Sequence, residues 1–142
     1  MAKPSRIFTK SELQQTQILL NSSDFGSRPL VKGFTIDSKE SLDLDDAIWV
    51  ETYGDTGKIS IHIADPTEVI DLDSPLDKTV RKRIETLYLA RGRIPMLPPA
   101  LSEQKLSLLE GEPKLTLTVE IELKATGEIS NYRIFESCFI SL

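Results

Sequence analysis

Apolar and polar residues alternate most regularly from Leu115 to Leu123, where Leu115, Leu117, Val119, Ile121 and Leu123 are separated by Thr116, Thr118, Glu120 and Glu122. A period of two places successive side chains on opposite sides of a strand, so this stretch predicts a strand with one buried apolar face and one polar face. Residues 47–52 and 58–64 predict two more strands, joined as a hairpin through Tyr53-Gly54-Asp55-Thr56-Gly57. In the second, Ile59, Ile61 and Ile63 share one face while Ser60, His62 and Ala64 share the other. Thr126-Gly127 reads as a turn, and Ile129 to Ile140 as a last strand.

Two segments carry helical signals. Thr9 with Glu12 forms a capping box ahead of good helix formers, predicting a helix over residues 9–20. Ser74-Pro75-Leu76-Asp77 places a capping serine before proline at the first helical position. Leu76, Val80, Ile84 and Leu87 then form a stripe at helical spacing, which Gly92 is expected to close. Residues 21–29 and the proline-rich stretch from Ile94 to Pro113 read as loops. The pattern as a whole predicts an α+β fold: a mixed, largely antiparallel sheet with flanking helices. Residues 1–33 are expected to form an N-terminal helical arm and linker, and residues 34–142 the body. The sequence stops at Leu142, directly after apolar Phe139 and Ile140, so the expectation is an incomplete domain.

Composition adds bounds. A chain of 142 residues, 39% apolar and 27% charged, is the size of one ordinary domain and can bury a core. It has no apolar run of membrane-spanning length and no signal-peptide pattern after Met1. The single cysteine, Cys138, cannot form an internal disulfide; a core position and a reducing cytoplasm are expected. The net charge of −5 opposes nucleic acid at long range. A nucleic-acid function therefore requires local basic patches, or cations held on carboxylates.

One segment offers such carboxylates. Asp37, Asp43, Asp45 and Asp46 fall within ten residues, just before the strand that contains Trp49 and Val50. An acidic run is usually a solvated loop. The alternative is a magnesium site, because hard Mg²⁺ prefers carboxylate oxygens and retains waters. Two like charges about 4 Å apart repel by roughly 1 kcal/mol in water and about 4 kcal/mol at an effective dielectric of 20. Gathering several carboxylates is therefore unfavourable unless cations compensate. An EF-hand counted from Asp43 fails at Ala47 and Ile48, and one His with one Cys gives little material for zinc or a cysteine–histidine pair.

The motifs, taken in order, discriminate further. Thr35-Ile36-Asp37, followed after five residues by Asp43-Leu44-Asp45-Asp46-Ala47, resembles the acidic signature of the ribonuclease II and R catalytic (RNB) domain. Ile61-His62-Ile63-Ala64-Asp65, Ser74-Pro75-Leu76-Asp77, Tyr88-Leu89, Ile94-Pro95-Met96-Leu97-Pro98, Leu101-Ser102, Leu106-Ser107-Leu108 and Gly111-Glu112 continue the likeness in family order. It runs from Phe34 to about Leu142.

The resemblance implies a magnesium-dependent 3′→5′ exoribonuclease that releases nucleoside 5′-monophosphates from single-stranded RNA. It places Asp37, Asp43, Asp45 and Asp46 around Mg²⁺ and the scissile phosphate, with Asp45 and Asp46 as the catalytic carboxylates. It also implies that Tyr88 stacks on a base at the RNA 3′ end; the plainer reading is an aromatic that completes the core. His62 reads as a packed structural histidine. Arg81, Lys82, Arg83, Arg91 and Arg93 are candidates for phosphate contact, although solvated helix charges explain most of them equally well. The family's later arginine and glutamate, its basic run and its flanking OB-fold domains have no counterpart here. Two functions follow: an enzyme piece, expected to be inactive alone and to need the remainder of the catalytic domain as partner, or a non-catalytic RNA- or protein-binding remnant.

Overall fold

The computed structural model describes residues 7–22, 25–90 and 92–142. Helix α1 (Lys10–Leu20) starts at its capping box: the Thr9 N–H donates to Glu12 Oε2 at 2.6 Å, and the Glu12 N–H to Thr9 Oγ1 at 3.4 Å. Helix α2 (Pro75–Arg83) starts at Ser74, whose hydroxyl accepts from the Asp77 N–H at 3.2 Å. The Thr79 hydroxyl donates to Glu12 Oε1, which ties the two helices together.

Strands β1 (Leu30–Gly33), β2 (Asp46–Tyr53), β3 (Thr56–Ala64), β6 (Pro113–Leu123) and β7 (Ile129–Ser141) form one sheet in the order β1-β7-β6-β3-β2. All its pairs are antiparallel except β1 with β7. The sheet then returns to its start. The Phe34 N–H donates to Ile48 O at 3.1 Å and the Ile48 N–H to Phe34 O at 3.0 Å, closing a five-stranded barrel. Gly33 makes this closure possible: a Cβ there would lie 2.6 Å from Ile48 O and 3.2 Å from the Phe139 ring. The barrel thus takes in Leu30–Gly33, ahead of the expected body at residue 34.

The direction of the sheet faces reverses the expectation. Thr116 and Thr118 on β6 are fully buried, whereas Leu117 between them is 38% exposed. Period-two alternation separates two faces but does not say which one a closed barrel turns inward. Here the interior receives His62, Thr116, Thr118 and Ser137 with Ala47 and Phe139. Their polar atoms bond to one another: His62 Nδ1 lies 2.8 Å from Thr118 Oγ1, and Ser137 Oγ lies 2.6 and 2.7 Å from the Thr118 and Thr116 hydroxyls. Cys138 is buried, as expected of a core residue. The apolar stripe instead forms an outer face, where Ile61 pairs across to Val119 and Val119 to Ile134, with Val50, Ile63, Tyr132 and Ile134 exposed.

A second apolar cluster sits beside the barrel. Leu19 of α1 and Leu76 of α2 join Val69, Ile70, Leu97, Leu101 and Leu106, and Leu115 of β6 packs against them. Helix α2 ends earlier than its stripe suggests, at Ile84, which takes φ +69° and is 78% exposed. Arg83 accounts for the turn. It is buried, stacks over the Phe8 ring at 3.8 Å and donates to Pro95 O at 2.5 Å, so the chain doubles back there. Leu87–Leu89 (β4) and Gly92–Ile94 (β5) consequently pair as a small hairpin, and Gly92 belongs to a strand rather than a helix cap. The expected loop after Ile94 contains one helical turn, Leu101–Lys105, closed by the Leu106 N–H on Leu101 O at 2.8 Å. No described helix is long and apolar enough to cross a membrane.

Candidate active site

The acidic segment lies between β1 and β2 and is held by atoms far away in sequence. Ser107, fully buried, accepts the Leu44 N–H at 3.1 Å and donates to Leu42 O at 2.9 Å. The Leu108 N–H donates to Leu44 O at 2.9 Å, and the Ala64 N–H to Asp45 O at 2.8 Å. The Leu44 side chain packs on the barrel cluster of Ala47, Leu108 and Phe139. Burying Leu44 leaves its polar neighbours at the surface, where Asp43 is half-buried and Asp37, Asp45 and Asp46 are exposed. Asp46 opens β2 opposite Ile63.

The four carboxylates feel one another. Partial loss of solvent raises the Asp45 carboxyl above its ordinary range, and Asp43, Asp46 and Asp37 each push it the same way. Among the described residues, only Asp43 of the four has an ion pair, with Arg93 Nη1 at 3.9 Å. No three Asp, Glu, His or Cys side chains among the described residues stand as a ready-made metal-ligating group. The donor set is nevertheless hard oxygen, and a divalent cation would relieve the crowding at Asp45. The residues fit magnesium by chemistry, without converging in advance.

Tyr88 sits on β4 directly across from Arg93 on β5. It is 72% exposed, so it does not complete the core. Arg93 also donates to Glu103, while Arg81 pairs with Asp77 at 3.1 Å and Arg83 is buried as described. Arg91 lies outside the described residues. His62 is a buried structural residue, bonded to Thr118 within the barrel. Two participants were not evident from sequence: Ser107, 63 residues from the Leu44 it anchors, and the reach of Arg93 to Asp43. Neither leaves a local pattern, because each contact exists only after the chain has folded.

The profile of the RNB domain family matches residues 27–141. An uncharacterized ribonuclease of Synechocystis is 37% identical over 108 residues, covering 75% of this chain and 16% of the relative. Exoribonuclease 2 of Psychromonas ingrahamii is 36% identical over 121 residues, covering 85% of this chain and 18% of the relative. The structure of Mycoplasma genitalium RNase R in complex with ribose methylated single-stranded RNA superposes with a TM-score of 0.82 at 26% identity, covering 92% of this chain and 21% of that one. The chain thus spans about a sixth of the length of these curated relatives.

Proposed function

The chain belongs to the RNB domain family, and on that premise we propose that it carries the acidic half of a magnesium-dependent 3′→5′ exoribonuclease site, acting on single-stranded RNA and releasing nucleoside 5′-monophosphates. The observation that carries the reading is that Asp37, Asp43, Asp45 and Asp46 stand on one segment pinned to the barrel by Ser107 and Ala64, where burial first and then the other three carboxylates raise the Asp45 carboxyl.

Asp37, Asp43, Asp45 and Asp46 would hold Mg²⁺, which when bound supplies positive charge to the phosphate and favours ionisation of the attacking water. The chain's own part is positional. Backbone bonds to Asp45 O and Leu44 fix the chain that carries the carboxylates, and the side chains would converge on an ion as it binds. Tyr88 offers an exposed aromatic face, and stacking on a terminal base is sequence-tolerant and worth about 1–3 kcal/mol. The remainder of a catalytic domain is the proposed partner of residues 1–142, supported by the exposed apolar outer face of the barrel. Residues 1–142 alone are expected not to degrade RNA, since removing even one charge-stabilising donor costs an enzyme about 10²–10³ in rate.

A graft tests this. Residues 27–141 replace the matching segment of the Psychromonas exoribonuclease 2, and release of 5′-monophosphates from 3′-labelled single-stranded RNA is followed with magnesium. Activity in the graft, abolished by Asp45→Asn, supports the reading. An inactive but folded graft, or full activity with Asp45→Asn, overturns it, and the non-catalytic remnant then stands.

A further inference from the structure

Among the basic residues that could meet a phosphate, the fold keeps one beside the acidic segment. Arg81 is drawn to Asp77 on its own helix, and Arg83 is buried against Phe8. Arg93 alone, among the described residues, pairs with one of the four aspartates. It stands on β5 directly across from Tyr88 on β4, so the two side chains leave the same face of the hairpin, their Cβ atoms roughly 5 Å apart. Both are accessible: Tyr88 is 72% exposed, and the Arg93 side chain 32%.

The guanidinium is only partly used. Its Nη2 donates to Glu103. Nη1 faces Asp43 Oδ1 across 3.9 Å, an ion pair too long for a hydrogen bond, and neither Nη1 nor Nε donates to any other described residue. Without a cation this fork is unattractive to a phosphate, because its single positive charge stands among the four aspartates and Glu103. Asp43 given over to a divalent cation would leave Arg93 with Glu103 alone and with Nη1 free to donate.

Resting on the reading above, in which the aspartates hold a divalent cation and Tyr88 a terminal base, we propose that Arg93 binds the 5′-phosphate of that same terminal nucleotide, and does so only once the cation is in place. One nucleotide is then shared between neighbours, its base on Tyr88 and its phosphate between Arg93 and the carboxylate-held cation. A guanidinium suits the task because its planar fork offers parallel N–H donors to phosphate oxygens. Cation and nucleotide are thereby coupled, each strengthening the other's binding by the same factor. Arg93 opposes the cation when no nucleotide is present and supports it when one is. A purely structural residue has no such change of sign.

Mn²⁺ binding to residues 1–142 is measured by electron paramagnetic resonance with and without adenosine 5′-monophosphate. Adenosine 3′-monophosphate, which has the same base and phosphate but the other attachment, controls for chelation in solution. The 5′ isomer should tighten Mn²⁺ binding about five- to tenfold, within the usual range for coupled sites, and the 3′ isomer less than about twofold. In Arg93→Gln the effect of the 5′ isomer should fall to that of the 3′ isomer, while Mn²⁺ alone binds at least as tightly as to the natural chain. Arg93→Lys, which keeps the charge without the fork, should recover part of the coupling. Absence of Mn²⁺ binding, or binding that Asp45→Asn leaves unchanged, overturns the metal-site reading and this proposal with it. Binding that depends on Asp45 but shows no preference for the 5′ isomer, or a preference that Arg93→Gln retains, overturns the role of Arg93 alone.

Discussion

Arg93 reaches from the β4–β5 hairpin to within 3.9 Å of Asp43 in the acidic segment. Tyr88 is its cross-strand neighbour, so one guanidinium joins the exposed aromatic to the carboxylates. The contact is long and partly solvated, and Glu103 shares the same cation, so its contribution to stability is small. Its larger effect is on local potential. Arg93→Gln should tighten Mn²⁺ binding to the acidic segment about two- to threefold, as a partly exposed charge worth roughly 0.5 kcal/mol would. Electron paramagnetic resonance of free Mn²⁺ measures it; unchanged or weaker binding would show that Arg93 does not compete for Asp43.

Asp45→Asn should raise the thermal midpoint by a few degrees when no divalent cation is present. The sign follows from the raised carboxyl. An acid whose folded pKa is raised contributes stability at low pH that is lost as pH rises through the folded value, so at neutral pH the charged Asp45 works against the fold. Removing the charge removes that cost. Magnesium should stabilise the natural chain more than the variant. A lower midpoint for Asp45→Asn without cation would sink the crowding argument.

His62 gives the opposite sign. Burial holds its pKa below the ordinary histidine value, against the opposing influence of the Lys32 carbonyl and Glu120. Its contribution is therefore present above about pH 6.5, the unfolded value, and is lost as pH falls towards the folded one. It is the only histidine, so a fall in the urea midpoint from pH 7 to pH 5.5 is expected, and His62→Gln should flatten that slope. An equal slope in both chains would assign the effect to carboxylates.

Ser107→Ala should loosen the acidic segment without touching a carboxylate. It leaves the Leu44 N–H and Leu42 C=O short of a partner, a cost of about 1–3 kcal/mol for buried groups. Hydrogen exchange at the Leu44 amide should speed up more than at β3 amides. Uniform acceleration across the barrel would mean that Ser107 supports the whole fold rather than this segment.

Much of this architecture is written in local pattern. Thr9 with Glu12, Ser74 with Pro75, and the Gly54 turn each declare an element by their own short-range chemistry. The acidic spacing likewise marks the segment before any fold is known. Three features are not local. Ile84 fits a helical stripe yet ends the helix, because a buried Arg83 binds Pro95 from the following turn. Ser107 acts across more than sixty residues, and the inward turn of Thr116 and Thr118 is decided by barrel closure.

That inversion changes what guards the strand pairing. In most sheets a one-residue slip exposes the apolar side chains, and water penalises the error. Here the same slip of β6 against β3 would draw Leu117 and Val119 inward and turn the two threonines out, so burial of apolar surface would favour the mistake. What opposes it is directional: His62, Thr118, Ser137 and Thr116 find their partners in one register only. The misaligned sheet, rather than the unfolded chain, is therefore the competitor that this hydroxyl ladder excludes.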